Sequence, residues 1–210
     1  MNTGRVANRP APSIVKLLKD IATIRSGYPF RERPVRVETG GCRLVQMSDL
    51  DKRLGGISPN LESVAAPSNW ETHRLHQYDI LFAARGQING AGVLTSDVSN
   101  AIAASTLLVL RSNNQIVNPF YLAWHLNTDQ TQAELKTMQA GSSIPFISIE
   151  DLGQLPVPVP SLEKQVKIVE LESLGLEEQA LMEMLRRRRQ DLIKGAQKAL
   201  LKNDFPLLKQ

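Results

Sequence analysis

A proline-punctuated segment followed by a long proline-free stretch constrains the fold of this chain more than any other feature. Residues 156–160 read Pro-Val-Pro-Val-Pro, and such prolines interrupt a helix because they lack a backbone N–H. Apolar residues then recur at helical spacing through most of the remaining chain. Those that form one apolar seam are Leu171, Leu174, Leu181, Leu185, Leu192 and Ala196. The pattern predicts a helix over residues 163–202, roughly 60 Å long, whose seam needs a partner helix.

This layout divides the chain into a globular body and a helical extension. At 210 residues the chain is long enough to bury one hydrophobic core. We predict a globular domain over residues 1–160, a long helix for dimerisation and spacing over residues 161–203, and a tail over residues 204–210. Short apolar bursts alternate with helical patterns in the body. The predicted class is therefore mixed α/β (α+β) with a coiled-coil-like C-terminal helix.

Local patterns give more specific predictions for the body. Apolar residues at helical spacing predict a helix over residues 14–24, and a glycine turn predicts a hairpin over residues 36–47. The apolar burst over residues 78–84 predicts a buried strand. Pro119 suits the first turn of a helix, because its missing N–H would be unpaired there, and the pattern extends this helix over residues 120–138.

Charge, cysteine content and hydropathy limit the classes to which the chain can belong. The net charge of +4, with a pI of about 9.3, is a mild basic excess that favours a nucleic-acid partner only weakly. The single cysteine, Cys42, cannot form an internal disulfide, and no long apolar run predicts a membrane span. Residues 1–13 lack the apolar core of a secretory signal. We therefore expect a cytoplasmic protein with no membrane partner.

Basic residues are concentrated in one stretch that also contains glycine and proline. The arginines of this stretch are Arg25, Arg31, Arg33 and Arg36. Arginines on a loop can reach a phosphate backbone without disturbing a core, and a guanidinium can also bind guanine bidentately. The alternative interpretation is an ordinary solvated surface loop.

Six short segments are informative through their order and spacing. Residues 78–86 read Tyr-Asp-Ile-Leu-Phe-Ala-Ala-Arg-Gly, and residues 155–165 read Leu-Pro-Val-Pro-Val-Pro-Ser-Leu-Glu-Lys-Gln. The other four segments are residues 18–27, 46–50, 118–122 and 141–148. Taken together, over roughly residues 14–200, this set resembles half of a specificity subunit from type I restriction–modification enzymes.

The resemblance implies a target recognition domain joined to one conserved-region helix. Specificity subunits usually carry two such units, whose helices pair antiparallel, set the distance between two DNA half-sites and dock the DNA methyltransferase (modification) subunit. This chain has one unit, so a homodimer through the C-terminal helix would supply the second half. A twofold dimer predicts an inverted-repeat target in double-stranded DNA. The alternatives are a protein–protein adaptor or a truncated specificity protein without DNA binding of its own.

Loop residues with suitable chemistry form the predicted DNA-contact set. Its members are Arg25, Tyr28, Arg31, Arg33, Arg36, Arg85, Gln87, Asn89, Ser142 and Ser143. Arginine suits guanine and phosphate, amide side chains suit adenine, and serine hydroxyls suit phosphate. Two alternatives stay open: Arg85 could pair with a carboxylate inside the domain, and the two serines could belong to a hinge.

The sequence contains no recognisable catalytic set. It lacks a Walker-type phosphate loop and the Asp/Asn-Pro-Pro-Tyr/Phe motif of amino-methyltransferases. His73 and His76 have a spacing found in metal sites, but no cysteine lies near them in sequence, so we expect no metal. We predict a non-catalytic subunit without cofactors of its own, because S-adenosylmethionine and ATP would belong to partner subunits. An unrecognised enzyme, the remaining rival, would require a pocket with perturbed titratable groups.

Overall fold

The structure of the protein is a computed structural model that describes residues 14–51, 56–86, 89–95, 100–139 and 145–204. The chain forms two units, Met1–Val169 and Glu170–Gln210. The strands are β1 (Ile14–Leu17), β2 (Ala22–Ser26), β3 (Cys42–Val45), β4 (Leu50–Asp51), β5 (Gly56–Ile57), β6 (Glu62–Val64), β7 (Ile80–Ala83), β8 (Ala91–Val93), β9 (Ala101–Ala103), β10 (Leu107–Ser112) and β11 (Pro156–Val159). The α-helices are α1 (Leu18–Ile21), α2 (Pro119–Asn127), α3 (Asp129–Met138), α4 (Ile149–Gly153) and α5 (Leu162–Asp204), and two 3₁₀ helices lie at Met47–Asp49 and Trp70–His73.

The mixed α+β class and the long C-terminal helix are both confirmed by this set of elements. Helix α5 begins one residue before the predicted start and ends two residues after the predicted end. No helix among the described residues combines the length and the apolar composition that crossing a bilayer requires.

The largest sheet has four antiparallel strands in the order β2-β10-β7-β8. Every residue of β7 is buried, as the apolar burst predicted. Ile80 and Phe82 belong to a core cluster shared with α2, whereas Leu81 and Ala83 belong to a second cluster. Successive side chains of a strand face opposite sides, so β7 is covered on both faces. This explains why its sequence is a continuous apolar run rather than an alternating one.

A smaller sheet has the order β6-β3-β9, with β3 antiparallel to β6 and parallel to β9. The predicted hairpin over residues 36–47 is wrong. Gly40 and Gly41 have positive φ and reverse the chain, but the two flanking segments pair with β6 rather than with each other. Val64 of β6 bridges Arg36 and also pairs with Cys42 of β3. A strand distant in sequence has therefore inserted between the two arms of the turn.

The helix predicted over residues 14–24 is also wrong. Its residues form β1, the single turn α1 and β2. Strand β1 pairs antiparallel with β11, and β2 pairs antiparallel with β10. Only Leu18 and Ile21 keep the helical spacing, and both are buried. Since β-branched residues stand at both ends of this segment, strand pairing outweighs a helix propensity that was already weak.

The helix predicted over residues 120–138 is two helices that meet at Thr128. Helix α2 begins at Pro119, as expected, and the Asn118 side chain accepts from two backbone N–H groups of its first turn. The Thr128 hydroxyl accepts from the backbone N–H of Thr131 and so caps α3. The extended backbone of Thr128 separates the two helices, and both contribute residues to the same core cluster.

One buried amide holds the start of α5. The Gln165 side chain is 0% exposed. Its Oε1 accepts from the Asn118 backbone N–H at 2.8 Å. Its Nε2 donates to the Ile116 carbonyl at 3.1 Å and to the Pro160 carbonyl at 2.8 Å. The first turn of α5 is therefore tied both to the end of β11 and to the segment before α2.

Gly27 is required by a close approach of two backbones. A Cβ there would collide with the Ala104 carbonyl and would lie 2.7 Å from the Ala103 carbonyl oxygen. We expect Gly27→Ala to destabilise the fold by about 3 kcal/mol and to lower the melting temperature by about 6–12 °C. Gly56→Ala is the matched control, because a Cβ at Gly56 meets nothing within 4 Å. Equal melting temperatures for the two variants, measured by calorimetry, would contradict this packing argument.

Candidate nucleic-acid interface

Residues 27–41, between β2 and β3, form a segment that we call the arginine loop. It is fixed at its start, where Gly27 donates to the Leu107 carbonyl at 2.9 Å and Tyr28 donates to the Ala103 carbonyl at 2.7 Å. Arg31 and Arg33 are exposed. The Arg36 side chain is 79% exposed. The sheet thus anchors a loop that presents three guanidinium groups to solvent.

Arg25 precedes this loop and is used inside the protein. Its Nη2 donates to the backbone carbonyls of His73 at 3.2 Å and Arg74 at 3.1 Å. Burial lowers the pKa of Arg25 from its ordinary value, and the nearby Asp79 carboxylate opposes this shift. Arg25 therefore holds the 3₁₀ helix Trp70–His73 against β2, and we leave it out of the proposed DNA contacts.

Tyr28 is likewise engaged within the protein. Its ring packs edge-on against Phe30, with centroids 4.8 Å apart, and against His73, with centroids 5.1 Å apart. Its hydroxyl donates to the Ser68 carbonyl at 3.0 Å. The ring and its hydroxyl therefore already have protein partners, and a contact between Tyr28 and DNA stays a prediction.

Arg36 meets two residues that the sequence did not single out, Glu62 and Gln46. Arg36 Nε forms an ion pair with Glu62, and Gln46 Nε2 donates to Glu62 Oε2 at 3.2 Å. Arg33, Pro34 and Leu44 complete the lining of a cavity of about 380 Å³ beside them. We call it the Glu62 cavity. No local motif marks Glu62, which reaches Gln46 only because β6 pairs with β3.

A second cavity adjoins this one. It has a volume of about 460 Å³, and Arg36 and Glu62 line it too, together with Asn60 and Ser63. The Arg36–Glu62 pair therefore stands between two polar recesses along strand β6. Arginine, carboxylate and amide groups in such recesses supply the hydrogen-bonding groups that base edges require.

Arg85 lies at the end of β7, beside a different cavity of about 410 Å³. Its guanidinium carbon is 5.4 Å from the Phe146 ring centroid, which is a cation–π contact. Gly86 follows with a φ of 96°, a conformation that glycine adopts without strain. Ser26 and Ser105 line this cavity, so it lies close to the start of the arginine loop.

Asn89 is 1% exposed and its amide is committed to protein partners. Its Nδ2 donates to the Ala83 carbonyl at 2.8 Å, and its Oδ1 accepts from Gln139 Nε2 at 3.0 Å. A contact between Asn89 and DNA stays a prediction, and we leave it out of the proposed contacts because both ends of its amide have protein partners. Gln87, Ser142 and Ser143 lie outside the described residues.

The buried Asp79 carboxylate has structural partners, and the buried Cys42 is a free thiol. Arg111 donates to both carboxylate oxygens of the 1%-exposed Asp79, at 2.8 and 2.9 Å, and the His76 backbone N–H also donates to it. Burial raises the pKa of the Cys42 thiol. Within the described ranges, no group of three or more His, Cys, Asp or Glu residues could hold a metal ion.

The second unit, considered by itself, is helix from Glu170 to Asp204 with an exposed apolar seam. The exposed fractions are 70% for Leu171, 62% for Leu174, 53% for Leu181, 62% for Leu185 and 75% for Leu192, and Ala196 is exposed too. Such a row of exposed leucines is unusual on a helix that has no partner.

The part of the chain that contains the arginine loop and the start of α5 also matches a known family. A family model for the type I restriction modification DNA specificity domain matches residues 14–176. The chain belongs to this family. The matched range of this specificity domain contains the arginine loop, the Glu62 cavity and the first part of α5.

Solved structures with the same fold belong to type I restriction–modification systems. The specificity domain matches a chain from a structure on complex assembly and conformational transition of the type I R-M system, with a TM-score of 0.69, 17% identity and coverage of 94% of this chain and 47% of that chain. It matches the HsdS subunit from Thermoanaerobacter tengcongensis with a TM-score of 0.64 and 19% identity, and the match covers 97% of this chain and 47% of that chain. It matches the S subunit of the type I restriction–modification system from M. genitalium with a TM-score of 0.56 and 14% identity, and the match covers 97% of this chain and 49% of that chain.

The chain therefore spans about half the length of the solved structures that it matches. No curated protein sequence matches it.

Proposed function

We propose that this chain is the DNA sequence-recognition subunit of a type I restriction–modification system and reads one half-site. The observation that carries the proposal is the family match over residues 14–176. The exposed guanidinium groups of the arginine loop support it, because protein–DNA affinity comes largely from phosphate contacts. Arg31 and Arg33 are the proposed phosphate contacts, and Arg36 and Arg85 lie beside the cavities that base edges would approach.

The second half-site would be read by a second copy of the chain. Support comes from the exposed apolar seam of α5. A homodimer that buries this seam in a coiled coil would place two recognition domains around one twofold axis. Its DNA target would be an inverted repeat, since the symmetry of the protein is reflected in the site.

The charges of α5 favour an antiparallel arrangement of the two copies. Residues 170–183 contain five acidic residues and no basic one, whereas residues 184–204 contain seven basic and two acidic residues. Antiparallel pairing places each acidic half beside the basic half of the other copy, whereas parallel pairing places like charges together. Charges that flank an apolar seam set the orientation of helices in coiled coils.

The chemistry would be supplied by a DNA methyltransferase (modification) subunit that docks on this dimer. In this proposal the chain itself is non-catalytic and selects the DNA address at which the partner transfers a methyl group. S-adenosylmethionine, and ATP where restriction takes place, would be bound by partner subunits. The protein would act in the cytoplasm, where the DNA of the cell is accessible to it.

Replacing Arg31 and Arg33 with alanine tests the DNA-binding part of the proposal. With the methyltransferase subunit present, we expect the double variant to bind its duplex about ten- to a hundredfold more weakly. The slope of log K against log salt should fall by about 2, because two phosphate contacts are lost. Fluorescence anisotropy with labelled duplex over a salt series measures both quantities.

A matched control replaces Lys19 and Lys136, which are exposed on α1 and α3 outside the loop and its cavities. It removes the same two positive charges and should keep the wild-type affinity and slope. If the wild-type assembly shows no salt-sensitive duplex binding at all, the chain is an adaptor or a truncated protein instead. Unchanged affinity of the arginine variant at low salt would remove Arg31 and Arg33 from the interface.

A further inference from the structure

We propose that Glu62 is a specificity-determining residue whose carboxylate accepts a hydrogen bond from the exocyclic amino group of a base in the major groove, cytosine N4 or adenine N6. The inference rests on the proposed function and deepens it. It adds to the basic loop a negatively charged group that distinguishes the correct half-site from other DNA.

The position of Glu62 is fixed by the small sheet. Glu62 lies on strand β6, directly opposite Leu44 of β3, and the segment around Arg36 bridges the other side of β6 at Val64. Directly opposed residues of an antiparallel pair share one face of the sheet, and Gln46, two residues after Leu44, continues along that face. Leu44 is buried, whereas the Glu62 side chain is 25% exposed. The carboxylate is thus held at the mouth of the Glu62 cavity by strand geometry rather than by a loop.

Two side chains orient this carboxylate and leave room for a ligand. Gln46 Nε2 and Arg36 Nε both direct N–H groups at it. A carboxylate has about four acceptor positions, so two donors leave others available towards the cavity of about 380 Å³. The Gln46 backbone is held in turn, because its N–H donates to Asp49 Oδ2 at 2.8 Å. The acceptor is therefore preorganised before any DNA arrives.

The negative charge of the Glu62 carboxylate acts on DNA binding in the opposite sense to the positive charges of the neighbouring arginines. In the free protein it pairs with Arg36 and offsets one positive charge near the exposed loop. Beside a phosphate backbone a carboxylate is repelled, and only a base amino donor at hydrogen-bond distance compensates for that repulsion. Glu62 should therefore weaken binding to unrelated DNA and favour the half-site that presents the amino group.

The experiment uses the full-length chain with its methyltransferase subunit. The modified motif is first mapped in a plasmid library by long-read sequencing, and duplexes with that motif and with unrelated sequence then serve as probes. We expect Glu62→Gln to bind unrelated duplex several-fold more tightly and to lose about tenfold of its discrimination. The methylated motif should become degenerate at one base pair in each half-site.

Two further variants separate this role from charge and from folding. Glu71→Gln removes the same charge from an exposed residue outside the arginine loop and both cavities, and should keep the wild-type motif and discrimination. Glu62→Asp keeps the charge but shortens the side chain by one methylene. This variant should lose discrimination between the motif and unrelated duplex without binding unrelated duplex more tightly.

The inference is overturned if Glu62→Gln and Glu62→Asp both retain the wild-type motif and discrimination. If wild-type protein with its partner neither binds duplex nor supports methylation, the proposed function fails and not this inference alone.

Discussion

Replacing Leu181 and Leu185 with aspartate should convert the protein from a dimer into a monomer in multi-angle light scattering. The two residues lie one helical turn apart on the same seam and are 53% and 62% exposed in the single chain. Burying two carboxylates in an apolar helix–helix interface costs several kcal/mol each, which exceeds the stability that such an interface provides. We also expect gene-dependent methylation to disappear, because a single half-site reader cannot bind both halves of a bipartite site.

The matched control replaces Gln179 and Gln190 with aspartate. Both glutamines lie on α5 outside the apolar seam and are exposed, so this variant adds the same two charges to the same helix. It should stay dimeric. A dimer that survives the two leucine replacements would show that the copies meet elsewhere, and a monomeric control would attribute the effect to net charge instead.

Replacing Gln165 with leucine should destabilise the recognition domain by about 4 kcal/mol and lower its melting temperature by about 8–16 °C. The reason is that the Asn118 N–H and the carbonyls of Ile116 and Pro160 lose their partner together. Each unpaired buried group costs about 1–3 kcal/mol, and leucine supplies no donor or acceptor. Calorimetry of the full-length protein measures the change.

Gln154→Leu makes the same substitution at an exposed side chain and serves as the control. We expect it to stay within about 0.5 kcal/mol of wild type, as surface substitutions usually do. Equal melting temperatures for the Gln165 and Gln154 variants would mean that the three hydrogen bonds around Gln165 contribute no net stability.

The parts of the fold that the sequence could predict are those with local causes. Strand β7 is a continuous apolar burst, and α5 follows a proline segment with a regular apolar seam, so each signal lies within the element itself. Strand β1 and the pairing of β3 could not be predicted in this way. Their partners, β11 for β1 and both β6 and β9 for β3, are distant in the chain, and the pairing overrides the local pattern.

The residues of the candidate site also divide into those that local sequence signals select and those that only distant strand pairing brings together. Side-chain type and loop composition were enough to select Arg31, Arg33 and Arg36 as exposed arginines, and their contact with DNA stays a prediction. The same criteria also selected Arg25, Tyr28 and Asn89, whose polar groups the fold uses for its own carbonyl and amide partners. The same criteria could not select Glu62, the proposed specificity residue, because its two partners reach it only across strand pairings.

The central claim is that a homodimer of this chain selects the DNA address for a methyltransferase. Mapping methylated bases across the host genome by long-read sequencing, with and without the gene, tests it most directly. We expect an interrupted inverted-repeat motif that is methylated only when the gene is present. A methylation pattern that does not change on deletion would contradict the claim that the chain directs methylation, and a gene-dependent but asymmetric bipartite motif would contradict the homodimer.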